Sequence, residues 1–131
     1  MTIISARSFL AAIALVAFGA GAASAASKIE ILTEAPATAA EAPAEGATVT
    51  IDKMKYQQPE ITIKAGETVT WINAEAMPHN VAFKAGAVDD DKVEGAMLKK
   101  DQSFTIRFNE AGTYDYHCTP HPFMKAKVIV E

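Results

Sequence analysis

One cysteine, three histidines and one tryptophan are all that this 131-residue chain carries of those types, and each scarcity excludes something. A lone Cys118 rules out an internal disulfide framework and the paired-cysteine chemistry of CxxC redox motifs and zinc knuckles. No block of basic residues occurs, and twelve Lys+Arg against sixteen Asp+Glu leave a net charge of −4. Binding driven by nucleic-acid phosphates is thereby excluded as a main activity. No window repeats with a 3.6-residue period, so helices are not expected. What is present is length for one domain, with half of its residues hydrophobic, which is too little for a multidomain enzyme.

Residues 1–26 read differently from the rest. Arg7 is their only charged side chain, and it precedes the apolar run Phe9–Phe18 and the small residues Ala23-Ser24-Ala25-Ala26. A charged start, a greasy middle and an A-x-A-like end make a secretory signal peptide. The rival reading is a retained membrane anchor. The greasy part spans only about ten residues where a bilayer needs about twenty, which favours cleavage. The expected mature chain is residues 27–131, a single domain, exported and free of the membrane.

In that mature chain the apolar residues alternate with polar ones. Val49 and Ile51, Ile61 and Ile63, Val69 and Trp71, Val81 and Phe83, Phe104 to Phe108, Tyr114 to Cys118, and Val128 and Val130 each place every second side chain on one face. That is the period of half-buried strands. Turn signals at Gln58-Pro59, Ala65-Gly66 and Ala111-Gly112 separate the runs. Seven or eight short strands in about a hundred residues predict an all-β sandwich. The Ala/Glu/Pro-rich stretch after Ile29–Leu32 is expected to be a loosely held surface segment, and 84–101 a solvated loop.

The chemistry concentrates near the C-terminus, where Cys118, His121 and Met124 fall three residues apart, with His79 upstream in Met77-Pro78-His79-Asn80. A thiolate, two imidazoles and a thioether make the His2Cys-plus-axial-Met set of a type 1 copper site. The thiolate binds copper in both oxidation states. A weak axial thioether lets the coordination change little when an electron arrives. Zinc is disfavoured, because a structural zinc site wants four Cys or His donors. Given three His and five Met, the Cys-x2-His-x2-Met spacing arises by chance in roughly one chain in a thousand. Taken singly, Cys118 could be an inert thiol, Met124 core filler and His79 a core histidine; the bland reading must explain all of them at once. His117 neighbours Cys118 on a strand, so it points to the other face and cannot share the metal. With no further histidines, a second, catalytic copper is excluded.

The stretches 54–60, 69–81 and 111–124 resemble the cupredoxins, the small blue copper proteins, in the branch with the shortest Cys–His–Met loop. The resemblance covers the whole mature chain. It implies a Greek-key β-sandwich of about eight strands and one copper ion held by His79, Cys118 and His121, with Met124 as the weak axial ligand. It implies a monomeric, periplasmic electron carrier, not an enzyme, that accepts electrons from methylamine dehydrogenase and passes them to a c-type cytochrome. A copper chaperone or store is the alternative. Pro120 cannot donate a backbone hydrogen bond to the Cys118 sulfur, and Asn80 is placed to donate one or to tie the two ligand segments together. Met54, Met77, Pro78, Met97, Pro120, Pro122 and Phe123 are expected to form an apolar docking patch around His121, with Lys99, Lys100 and Lys125 steering an acidic partner.

Overall fold

The computed structural model describes residues 27–131 except Glu34 and Asp89; the leader read over 1–26 lies outside the described residues. Among these residues the chain forms eleven strand segments and one 3-10 turn, η1 (Ala39–Glu41). Six segments make one sheet. β1 (Ile29–Ile31), β9 (Gln102–Phe108), β6 (Thr68–Asn73), β3 (Ala47–Asp52) and β4 (Lys55–Tyr56) lie in that spatial order, and β2 (Ala37–Thr38) also pairs with β9. The second sheet runs β5 (Glu60–Ile63), β11 (Lys125–Val130), β10 (Gly112–His117), β7 (Ala82–Phe83) and β8 (Val93–Glu94). Most pairs are antiparallel, but β3 with β6 and β5 with β11 are parallel.

The period-two pattern does what it predicts. Val49, Ile51, Val69, Trp71, Phe104, Ile106 and Phe108 from one sheet meet Ile63, Phe83, Tyr114, Tyr116, Val128 and Val130 from the other, all buried in one cluster. Trp71 is fully enclosed, edge-on to Tyr116 at 5.3 Å between ring centroids. Such a packed aromatic pair adds about 0.5–1.5 kcal/mol beyond its buried area.

Two expectations change. The expected eight strands are joined by three more, β2, β4 and β8, two-residue pieces too short to show a period. And neither presumed loop is loose. Leu32 N, just before the Ala/Glu/Pro stretch, bonds Thr105 O, and within the stretch Ala39 N bonds Asp101 O and Thr38 O accepts from Ser103 Oγ. This cover over the outer face of β9 explains why Ser103 and Thr105 are buried although they point away from the core. Within 84–101, Val88 and Leu98 are buried, two isolated apolar side chains with no periodicity to announce them.

The β3–β4 hairpin turns through Lys53 and Met54 alone, both with positive φ (53° and 58°). Two-residue hairpins need that conformation and favour Asn-Gly for it; residues with a bulky Cβ give up roughly 1–2 kcal/mol each. Something outside the hairpin must hold it.

Under the cover, the hydroxyls of Thr70 and Thr105 bond each other at 2.9 Å and have no other side-chain partner among the described residues. Thr70→Val therefore strands a buried hydroxyl and should cost about 1–3 kcal/mol in urea unfolding, whereas adding Thr105→Val should recover most of it. A double variant no more stable than the single one would refute this pairing.

Candidate metal centre

Where β6 and β10 end and β9 and β11 begin, the two sheets present one common end. Two loops meet there. The first, residues 74–81, leaves β6 and carries His79; the second, residues 118–124, leaves β10 and carries Cys118, His121 and Met124.

Each loop is held by its backbone. Asn73, fully buried, accepts from Glu75 N through Oδ1 (3.1 Å) and donates through Nδ2 to Met77 O (2.9 Å) and Leu98 O (2.8 Å). His79 and Leu98 then exchange both backbone hydrogen bonds, an isolated antiparallel bridge. In the second loop Cys118 N bonds Met124 O and Met124 N bonds His121 O, closing a tight turn. Pro120 and Pro122 fix two of its φ angles.

Asn80 joins the loops. Its Oδ1 accepts from Thr119 N (2.8 Å), and its Nδ2 donates to Thr119 Oγ1 (3.0 Å) and Gly95 O (3.1 Å). Gly95 packs so close that a Cβ there would lie 2.8 Å from Val81 O, so only glycine lets this backbone approach. The Tyr56 hydroxyl donates to Asn80 O at 2.6 Å, and its burial, with Cys118 and Tyr116 beside it, pushes the phenol far above its ordinary pKa.

Inside this frame three donor atoms converge. Cys118 Sγ lies 3.6 Å from His79 Nδ1 and 3.6 Å from His121 Nδ1, and the two Nδ1 atoms are 3.2 Å apart. The centre of such a triangle is roughly 2.0 Å from every corner, the length of metal–nitrogen bonds and close to that of metal–sulfur bonds. Bare lone pairs at this spacing repel, so the arrangement suits a cation at its centre. His79 and Cys118 are fully buried and His121 is half-buried. Met124 is buried in the same turn. The donor set, one thiolate and two imidazoles with a thioether in the turn, fits copper better than harder ions.

His79 Nε2 faces away from the triangle and meets Glu75 Oε1 at 2.5 Å. A carboxylate accepts, so Nε2 carries the proton and Nδ1 keeps its lone pair for a metal. The same Oε1 accepts from Met54 N at 3.0 Å. Burial raises the Glu75 pKa, but the bonds from Met54, His79 and Lys53 outweigh it and leave the carboxyl below the usual range.

The remaining residues singled out in the sequence lie around the rim. Met77 (49% exposed), Met97 (42%) and Phe123 (68%) stand out into solvent, as do Pro78, Pro120 and Pro122. The Phe123 ring lies 6.1 Å from that of His121. Met54 differs: it is half-buried and packs against the core. His117 lies partly exposed beside Ala82, on the face opposite Cys118. Glu75, Tyr56, Thr119, Leu98 and Gly95 were not legible as site residues. Glu75 alone left a trace, four residues before His79.

Asn80→Ala should cost about 1–3 kcal/mol in denaturant unfolding of the copper-free protein, since it leaves Thr119 N and Gly95 O without partners. An unchanged midpoint would show that the tie carries no stability.

Comparison with known proteins agrees with this geometry. Residues 44–131 match the family of copper binding proteins of the plastocyanin/azurin type. Over 125 residues, 95% of each chain, this protein is 60% identical to the amicyanin of Paracoccus versutus and 56% identical to that of Paracoccus denitrificans. The crystal structure of the Paracoccus versutus amicyanin superposes with a TM-score of 0.79 over 81% of this chain and 100% of the other. The chain thus belongs to the plastocyanin/azurin family of copper proteins, the cupredoxins, a copper-binding electron carrier of amicyanin type.

Proposed function

We propose that this protein is an exported, periplasmic one-electron carrier and not an enzyme. In this reading His79, Cys118 and His121 are the strong copper ligands and Met124 is the weak axial one. The observation that carries the assignment is the 3.2–3.6 Å triangle of Nδ1, Nδ1 and Sγ, drawn from two loops 39 residues apart in sequence. Copper bound there supplies reversible one-electron chemistry between Cu(II) and Cu(I).

The chain's own residues make that exchange fast by moving little. Asn73, Asn80 and the His79–Leu98 bridge hold the ligand loops in place before any metal arrives. Burial of Cys118 and His79 excludes water from two of the donors. His121 alone reaches the rim, so electrons pass through its ring and the surface around it. That surface is Met77, Pro78, Met97, Pro120, Pro122 and Phe123, an apolar patch suited to brief docking. Exposed Lys99 and Lys100 follow Leu98, and Lys125 opens β11, all at this same end; they draw an acidic partner in.

The amicyanin likeness suggests methylamine dehydrogenase as the donor and a c-type cytochrome as the acceptor, with the carrier acting as a monomer. Copper storage or delivery fits less well, because ligands locked by so many backbone bonds exchange slowly. The leader read over 1–26 accounts for export.

Adding Cu(II) to the copper-free protein should produce an intense visible charge-transfer band, and Cys118→Ser should abolish it. A colourless wild-type product would overturn the assignment. Phe123→Glu should leave that band unchanged and slow electron exchange with the redox partner about tenfold, the equivalent of a little over 1 kcal/mol of docking energy. An unchanged rate would remove Phe123 from the docking surface.

A further inference from the structure

The apolar rim and the donor triangle account for most of the conspicuous side chains at this end, but not for a carboxylate wedged between a strained turn and a histidine. Glu75 is one-fifth exposed, and a single oxygen, Oε1, accepts from both His79 Nε2 and the Met54 backbone N–H. Its own N–H is held by Asn73 Oδ1. The carboxylate is therefore anchored from behind while it grips two elements in front. One is the ring of a metal-binding histidine. The other is the Lys53–Met54 turn, where both residues sit at positive φ without glycine or asparagine to favour it.

We infer that Glu75 is the positioning residue of the copper site, one carboxylate that fixes which nitrogen of His79 faces the metal and at the same time clamps the strained β3–β4 turn against the ligand loop. The inference rests on the ligand assignment above and goes beyond it. Holding Nε2–H in a carboxylate bond leaves Nδ1 unprotonated and aimed at the triangle, and it raises the basicity of the ring toward a cation. Among the described residues, Glu75 Oε1 is the one acceptor that His79 Nε2 meets. The clamp also ties the hairpin, which brings Tyr56 and its bond to Asn80 O, to the same histidine.

The experiment compares the copper-loaded parent with Glu75→Ala and Glu75→Gln. Glutamine keeps an oxygen that accepts both bonds and loses only the charge. In Glu75→Ala, Cu(II) affinity by chelator competition should fall about 10–100-fold. NMR of the Cu(I) form should lose the slowly exchanging His79 Nε2–H, and the Met54 amide should exchange faster. Glu75→Gln should keep the Nε2–H signal and recover most of the affinity. Its reduction potential should rise, because a negative charge near the metal favours the oxidised form. Alanine affinity within twofold of the parent, with Nε2–H still protected, would overturn the inference, as would a glutamine variant no better than alanine. A parent that forms no blue copper complex sinks the ligand assignment and this inference together; a blue parent with unchanged variants sinks only the inference.

Discussion

Three donor atoms 3.2–3.6 Å apart, carried by two separate loops, set the terms for this end of the molecule. Left alone, the side chains of His79, Cys118 and His121 would rotate apart. They stay together because the loops that carry them are fastened by hydrogen bonds that do not involve the metal. Asn73 and Leu98 hold one loop, the Cys118–Met124 and Met124–His121 bonds hold the other, and Asn80 joins the two. Beneath them lies a core of two sheets with Trp71, Phe108 and Tyr116 at its centre.

That order of dependence explains the division of polar residues. Those that are buried at this end, Asn73, His79 and Asn80, have partners for their side chains, as a low-dielectric interior demands. The exposed side chains nearest His121 are mostly apolar, which inverts the usual surface. The inversion is confined to the rim around His121, where Phe123 and two methionines stand clear of the core. A rigid interior and a greasy, unpartnered rim are the complementary needs of an electron carrier: little reorganisation inside, and a contact that forms and breaks quickly outside.

The two parallel pairings, β3 with β6 and β5 with β11, bring residues distant in sequence to the same end. The first also places the Lys53–Met54 turn beside the loop of Glu75. A strained turn is tolerated there because its neighbour supplies an acceptor for Met54 N–H. Strain in one element and charge in another are balanced locally, within one cluster of bonds around a single histidine.

Much of this was written in the order of residues. Alternation along Val49–Ile51, Val69–Trp71, Phe104–Phe108 and Tyr114–Cys118 is a local property, since a strand with one buried face must repeat every two residues, and it determined the sandwich and its core. The Cys-x2-His-x2-Met spacing is local too, because one tight turn supplies three donors and two prolines stiffen it. Other features have no local cause. Val88 and Leu98 are buried by what packs over them, β2 and β8 exist only because a neighbouring strand offers hydrogen bonds, and Gly95 is required by a backbone that passes within contact of Val81 O. The bond of Glu75 to His79 left a trace in their four-residue spacing, but its bond to Met54 N was decided by tertiary structure alone, since a contact across 21 residues depends on β3 lying beside β6 in one sheet and leaves no period, spacing or composition behind it.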